Sequence, residues 1–200
     1  MTIKLAVMVS GGGTTLQNFL DLIAAGKLDA SIEVVISSNS TAFALERASI
    51  AGIDTHVVRR GDFETQEAFS DAVTAVIDRY GVDLILGAGY LQRYLFPPRY
   101  QGRMLNVHPG LLPQFGGQGM YGHHVHEAVL AAGESESGCS VIITDHVYDH
   151  GPVVIERRVP VLPGDTPETL AARVFEAECE AYPEAVRIVA AQLGSPRRGI

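Results

Sequence analysis

The chain is short of cysteine, of basic residues and of long apolar runs, and each shortage closes off a class of protein. Only Cys139 and Cys179 occur in 200 residues. Two cysteines cannot build a disulfide framework, and their spacing is not that of paired metal ligands. The 15 Lys and Arg are outnumbered by 23 Asp and Glu, which leaves a net charge of −8. A nucleic-acid binder needs clustered cations for phosphate backbones, so that class is set aside. A small anionic substrate needs only a local site and stays open. No run approaches the ~20 apolar residues of a membrane helix. The apolar start IKLAVMV is too short for a signal h-region with its cleavage site. The expectation is a protein of the reducing cytoplasm that works on small molecules, with no nucleic acid and no membrane as partner. No repeat, low-complexity tract or linker is visible. Residues 1–200 are therefore read as one domain, with about 194–200 as a flexible tail.

What is present is a 46% apolar composition, enough for a real core. Short Val/Ile/Leu-rich runs alternate with helical segments. Strands are expected over 4–9, 32–37, 55–58, 82–88 and 103–107, and helices over 14–25, 42–51 and 63–80. That alternation predicts a Rossmann-like α/β fold: a mostly parallel twisted sheet with helices on both faces and ligands at the carboxyl edge of the strands. The second half differs. HPGLLPQFGGQGMYGHH at 108–124 is a loop of a length usually kept for function. A short helix over 125–132 follows, then two runs, 137–145 and 153–161, that read as a C-terminal antiparallel strand pair. Thr166 caps a long helix running from Pro167 to about Leu193.

SGGGTTLQ at 10–17 lies between a strand and a helix. Glycines permit a tight bend, and a helix N-terminus offers unpaired N–H groups to an anion. The match to a dinucleotide fingerprint is poor. Leu16 fills the third glycine position, ISSNS stands where a ribose-binding acid belongs, and there is no Walker lysine. The loop reads as a phosphate cradle, though not one for NAD or ATP, or as a plain tight turn. In MLNVHPGLLP, Asn106 and His108 are two apart and share one side of a strand that Pro109 and Gly110 end. An amide and an imidazolium both donate to an oxyanion, and the imidazole also shuttles protons near neutral pH. His123, His124 and His126 lack a Cys or acidic partner at metal-ligand spacing, so no metal is expected. One of them is expected in the crevice and the others in solvent. Asp149 is either turn chemistry or a carboxylate brought to the strand-end histidine, where it would raise the imidazole pKa. On the last helix Glu176 and Glu180 share a face and Glu178 lies roughly opposite, so one set must meet the sheet.

The ordered set SGGGTTLQ, AGYLQRYL, LNVHPGLLP, GQGMYGHHVHEAV, DHGPVV and EAYP resembles the phosphoribosylglycinamide formyltransferase family over roughly residues 4–190. LNVHPGLLP is shared with the wider superfamily, including methionyl-tRNA formyltransferase and formyltetrahydrofolate deformylase. The TTLQ glycine loop and the EAYP helix point to the glycinamide member. The resemblance implies transfer of a formyl group from the co-substrate 10-formyltetrahydrofolate to the amine of 5-phosphoribosylglycinamide, with no metal. It implies a catalytic set of Asn106, His108 and Asp149. Phosphoribosylglycinamide contacts fall on Gly13, Thr14, Thr15, Pro109, His124 and Glu178, with Thr14 and Thr15 replacing the more usual Ser and Asn. Folate contacts fall on Leu91, Gln92, Arg93, Tyr94, Asn106, Asp145, Tyr148 and Asp149. Both sites are expected to open onto one crevice.

Some positions depart from the pattern. Gln66 and Gln92 are neutral where a basic residue is expected near the folate tail, Ile142 replaces a histidine, and His150 replaces a small residue. The alternatives are a deformylase, in which water replaces the amine, and a non-catalytic phosphate- or nucleotide-binding module. Deformylase relatives usually carry an N-terminal regulatory domain and a tRNA formyltransferase a basic C-terminal one, so neither is the first expectation. A monomer and a homodimer are both open.

Overall fold

The computed structural model describes residues 2–194, so the expected tail lies outside the described residues from 195 onward. In chain order the elements are β1 (Ile3–Val9), α1 (Thr14–Ala24), β2 (Ala30–Ser37), α2 (Phe43–Ile50), β3 (Asp54–Val57), α3 (Gln66–Ile77), β4 (Leu84–Gly87), β5 (Met104–His108), α4 (His123–Ala132), β6 (Glu136–Ile143), β7 (Val153–Pro160) and α5 (Pro167–Gly194). The strand order is β3-β2-β1-β4-β5-β6-β7 in a seven-stranded sheet. β1 pairs in parallel with β2 and β4, and β2 with β3, whereas β6 and β7 are antiparallel. This is the mixed α/β sheet expected, with its antiparallel pair at the C-terminal end. The chain forms two compact units, 1–105 and 106–200, divided within β5.

In the first unit, β1 is buried continuously from Leu5 to Val9, which is how a strand covered on both faces reads. Ala6, Met8 and Ile36 join Phe69, Val73 and Ile77 of α3 in its core. α3 is shorter than the expected 63–80. Arg60–Asp62 form a 3-10 turn, and Thr65 caps the helix by accepting from the Ala68 N–H at 3.1 Å. Phe63 misleads because it packs edge-on against Phe69, with ring centroids 6.0 Å apart, so it matches the apolar period while its backbone stays extended.

In the second unit, β6 and β7 pair from Glu136↔Pro160 to Ile142↔Val153, with a bulge at Val141/Ile142. α5 packs on both. Its buried stripe runs through Leu170, Val174, Glu178, Ala181, Tyr182 and Ala185, at helical spacing. Thr166 and Thr169 cap it reciprocally: Thr169 N–H donates to Thr166 Oγ1 at 3.3 Å, and Thr166 N–H to Thr169 Oγ1 at 2.9 Å. α4 begins at His123, two residues earlier than expected, with Gly122 as its N-cap. Among the described residues no helix is long and apolar enough to cross a membrane.

Candidate active site

His108 ends β5 and is 3% exposed. Its Nε2 lies 2.6 Å from the Phe115 carbonyl oxygen. A carbonyl has no hydrogen to give, so Nε2 carries a proton and donates. The other ring nitrogen, Nδ1, lies 3.5 Å from Asp149 Oδ2. Asn106 stands two residues back on the same strand, half-buried, with no hydrogen-bond partner for its amide among the described residues. The strand and the late turn thus bring Asp149 and His108 together within the second unit.

Asp149 is held firmly. It has φ 51° and is the one non-glycine residue with positive φ among those described, a conformation Asp tolerates better than most residues. Its Oδ2 also accepts the Gly117 N–H at 3.0 Å. Within the same turn Asp145 Oδ1 accepts the Val147 N–H at 2.7 Å, and Asp145 Oδ2 pairs with His150 Nδ1 at 2.8 Å. The His150 bond, then the Val147 bond, lowers the Asp145 carboxyl below the usual carboxylate range. His150 thus closes the turn that carries Asp149.

The three histidines divide into two exposed and one buried. His123 and His124 are exposed, and His124 Nδ1 lies 3.3 Å from Glu127 Oε2. His126 is the buried one, with no partner for Nδ1 among the described residues. Burial first, then the charges of His123 and His108, pushes its pKa down to about 4. It is a neutral neighbour of His108, which its place one turn into α4 did not reveal.

The glycine loop of the first unit is built from behind. The Gly11 carbonyl accepts from Ala44 N–H at 3.1 Å, the Gly12 carbonyl from Arg47 Nε at 2.9 Å, and the Gly13 carbonyl from Gln17 N–H at 2.9 Å. In a trans peptide the N–H points opposite to the C=O. Tying back three successive carbonyls therefore aims the N–H groups of Gly12, Gly13 and Thr14 the other way, at the start of α1. Gly13 must be glycine: its φ is +72°, and a Cβ there would sit 2.6 Å from the Ala44 Cβ. Such a nest of N–H groups at a helix N-terminus suits an anion.

Of the residues expected at the folate, Leu91 is 56% and Tyr148 48% exposed. Each offers apolar surface in its own unit. The side chain of Tyr94 is committed elsewhere: it is buried, with its hydroxyl 2.8 Å from Thr74 Oγ1. Gln66 turns out to be structural. Its Nε2 donates to the Arg93 carbonyl at 2.5 Å, and Arg60 Nε donates to its Oε1 at 3.1 Å. Pro109 follows His108 and is half-buried. Glu178, not Glu176 or Glu180, is the buried member of its helix. It has no hydrogen-bond or ion-pair partner among the described residues, and burial alone pushes its pKa up to about 7. No group of three His, Cys, Asp or Glu among the described residues could hold a metal ion.

A buried imidazole with one nitrogen tied off and the other beside a carboxylate, at the end of a strand of an α/β sheet, is an arrangement that can donate to a developing oxyanion, as group transfer requires. Residues 3–186 match the model of the formyl transferase family, and the chain belongs to that family. It is 37% identical over 183 residues to the phosphoribosylglycinamide formyltransferase of Escherichia coli strain K12, covering 90% of this chain and 84% of that one. It is 38% identical over 199 residues to the trifunctional purine biosynthetic protein adenosine-3 of Drosophila pseudoobscura pseudoobscura, covering 98% of this chain but only 14% of that protein's length. The crystal structure of glycinamide ribonucleotide transformylase 1 from Symbiobacterium toebii superposes with a TM-score of 0.88 at 36% identity, covering 96% of this chain and 89% of that one.

Proposed function

We propose that the chain acts as a single phosphoribosylglycinamide formyltransferase domain of purine synthesis in the cytoplasm. It moves the formyl group of 10-formyltetrahydrofolate to the amine of 5-phosphoribosylglycinamide. The observation that carries the reading is the His108 ring in a chain of this family: Nε2 is fixed on the Phe115 carbonyl at 2.6 Å, which leaves Nδ1 to meet a reacting oxygen.

The folate supplies a formyl carbon that the substrate's neutral amine attacks, so that a C–N bond forms and negative charge gathers on the formyl oxygen. Asn106 and the protonated Nδ1 of His108 donate to that oxygen. Asp149, 3.5 Å from Nδ1, holds the water that carries the amine's proton to the departing folate nitrogen. Collapse of the oxyanion then breaks the old C–N bond. No covalent bond to the protein forms. Both thiols are pushed up by burial, Cys139 to about 12 and Cys179 to about 11, so neither is a thiolate at neutral pH. The Gly13–Thr15 main chain and the two threonine hydroxyls receive the substrate phosphate, and Glu178 accepts from the ribose hydroxyls. Pro109 and His124 border the same substrate. Leu91 and Tyr148 offer apolar surface to the pterin, with Gln92, Arg93, Asp145 and the main chain at Tyr94 as its polar contacts.

The test is a spectroscopic assay of folate product, with and without phosphoribosylglycinamide. Product only in the presence of the amine is the expected result. Equal rates without it would make the protein a deformylase, and no product in either case would leave only a binding module.

A further inference from the structure

We propose that Arg47 is a positioning residue for phosphate recognition, acting on the glycine loop from α2 without touching the substrate. This rests on the reading of Gly13, Thr14 and Thr15 as the phosphate site and adds the residue that shapes it. A phosphate-binding main-chain loop works only if its N–H groups are already aimed, because glycines leave the backbone free to turn them elsewhere. In SGGGTTLQ the three glycines are consecutive, so the constraint has to come from outside the loop. Helix α2 supplies it. Arg47 Nε donates to the Gly12 carbonyl at 2.9 Å, and Arg47 NH1 donates to Gln17 Oε1 at 2.7 Å. Gln17 is in turn fixed, with Nε2 on Asp21 Oδ1 at 2.8 Å, and the guanidinium lies over the Phe43 ring, 5.0 Å from its centroid.

Arg47 thus spans the loop and the first turn of α1 with one planar group. Of the three carbonyls tied back in this loop, Gly12's is the one that depends on a side chain; the Gly11 and Gly13 bonds are main chain to main chain. Losing Arg47 frees the middle peptide to flip, which turns the Gly13 N–H away from the anion. Lysine cannot replace it fully, because a single ammonium on a flexible stem cannot reproduce two bonds in a fixed fork. The same side chain places a cation behind the loop, which favours the anion further.

The experiment is steady-state kinetics on Arg47→Met, Arg47→Lys and the milder Gln17→Leu, with phosphoribosylglycinamide and with its dephosphorylated riboside. Arg47→Met should raise KM for the phosphorylated substrate about tenfold, the size of one charge-assisted hydrogen bond. It should leave kcat at saturation and the folate KM within about twofold and should not change KM for the riboside. Arg47→Lys should recover part of the loss, and Gln17→Leu should lie between wild type and Arg47→Met. An unchanged KM in folded Arg47→Met, or an equal loss with the riboside, overturns the proposal, and Gln17→Leu decides the matter on the same criterion if Arg47→Met does not fold. A wild-type protein whose KM is the same for substrate and riboside overturns instead the phosphate reading of the loop.

Discussion

Replacing Glu178 by glutamine should make the free protein more stable at high pH and leave it unchanged at low pH. The carboxyl is 9% exposed, and burial alone moves its pKa from 4.5 to about 7. Between those two values the folded protein keeps the proton and the unfolded chain releases it. Stability from this group is therefore full below pH 4.5, falls as pH rises through 7, and is flat beyond. At about 1.4 kcal/mol per pH unit, the ionised carboxylate costs about 3 kcal/mol above neutrality. Glutamine has nearly the same shape and no charge to desolvate. The variant should gain that amount at pH 8, which for a domain of this size is roughly 10 °C in Tm, and it should match wild type at pH 4.5. Thermal unfolding followed by circular dichroism from pH 4.5 to 8.5 reads both curves. Parallel curves for the two proteins would refute the reasoning. The stability gained should come with a higher KM for phosphoribosylglycinamide, since an amide is a weaker acceptor for ribose hydroxyls than a carboxylate.

Three further outcomes are expected. His108→Ala and Asn106→Ala should each lose about two to three orders of magnitude in kcat, the usual effect of removing one oxyanion donor, while keeping a native circular dichroism spectrum; near-full activity in folded His108→Ala would remove the oxyanion role. Gly13→Ala should lose about 1–3 kcal/mol in urea unfolding, because alanine at positive φ is strained and its Cβ would meet Ala44. It should also raise KM for the phosphorylated substrate. Thr166→Ala should lose about 1 kcal/mol by removing one half of the reciprocal cap of α5, with kinetics unchanged.

The parts of the fold set by local pattern were legible from the residues. The buried run Leu5 to Val9, the antiparallel 137–145 and 153–161 pair and the Thr166 cap all follow from side-chain period and cap chemistry, and the structure places them within a residue or two. The start of α3 was not legible, because the apolar period includes Phe63 while the backbone obeys Thr65. The same split runs through the site. Asn106 and His108 stand out because polar residues end an apolar strand. Glu178 could be narrowed only to one of two faces, since the partner of an amphipathic helix is a tertiary fact. The Phe115 carbonyl, the left-handed backbone of Asp149 and the reach of Arg47 to Gly12, 35 residues away, leave no mark in residue type. They are main-chain geometry or long-range contact, and sequence patterns record neither.

The bond from His108 Nε2 to the Phe115 oxygen engages an atom that every amino acid possesses. Exchange of the side chain at 115 therefore cannot delete it, and an alanine scan across this segment would pass over the contact that orients the imidazole. Only changes that re-route the peptide itself, by insertion, deletion or an imposed ring, expose it to selection. This contact is thus inherited through the course of the chain, not through the identity of the residue that makes it.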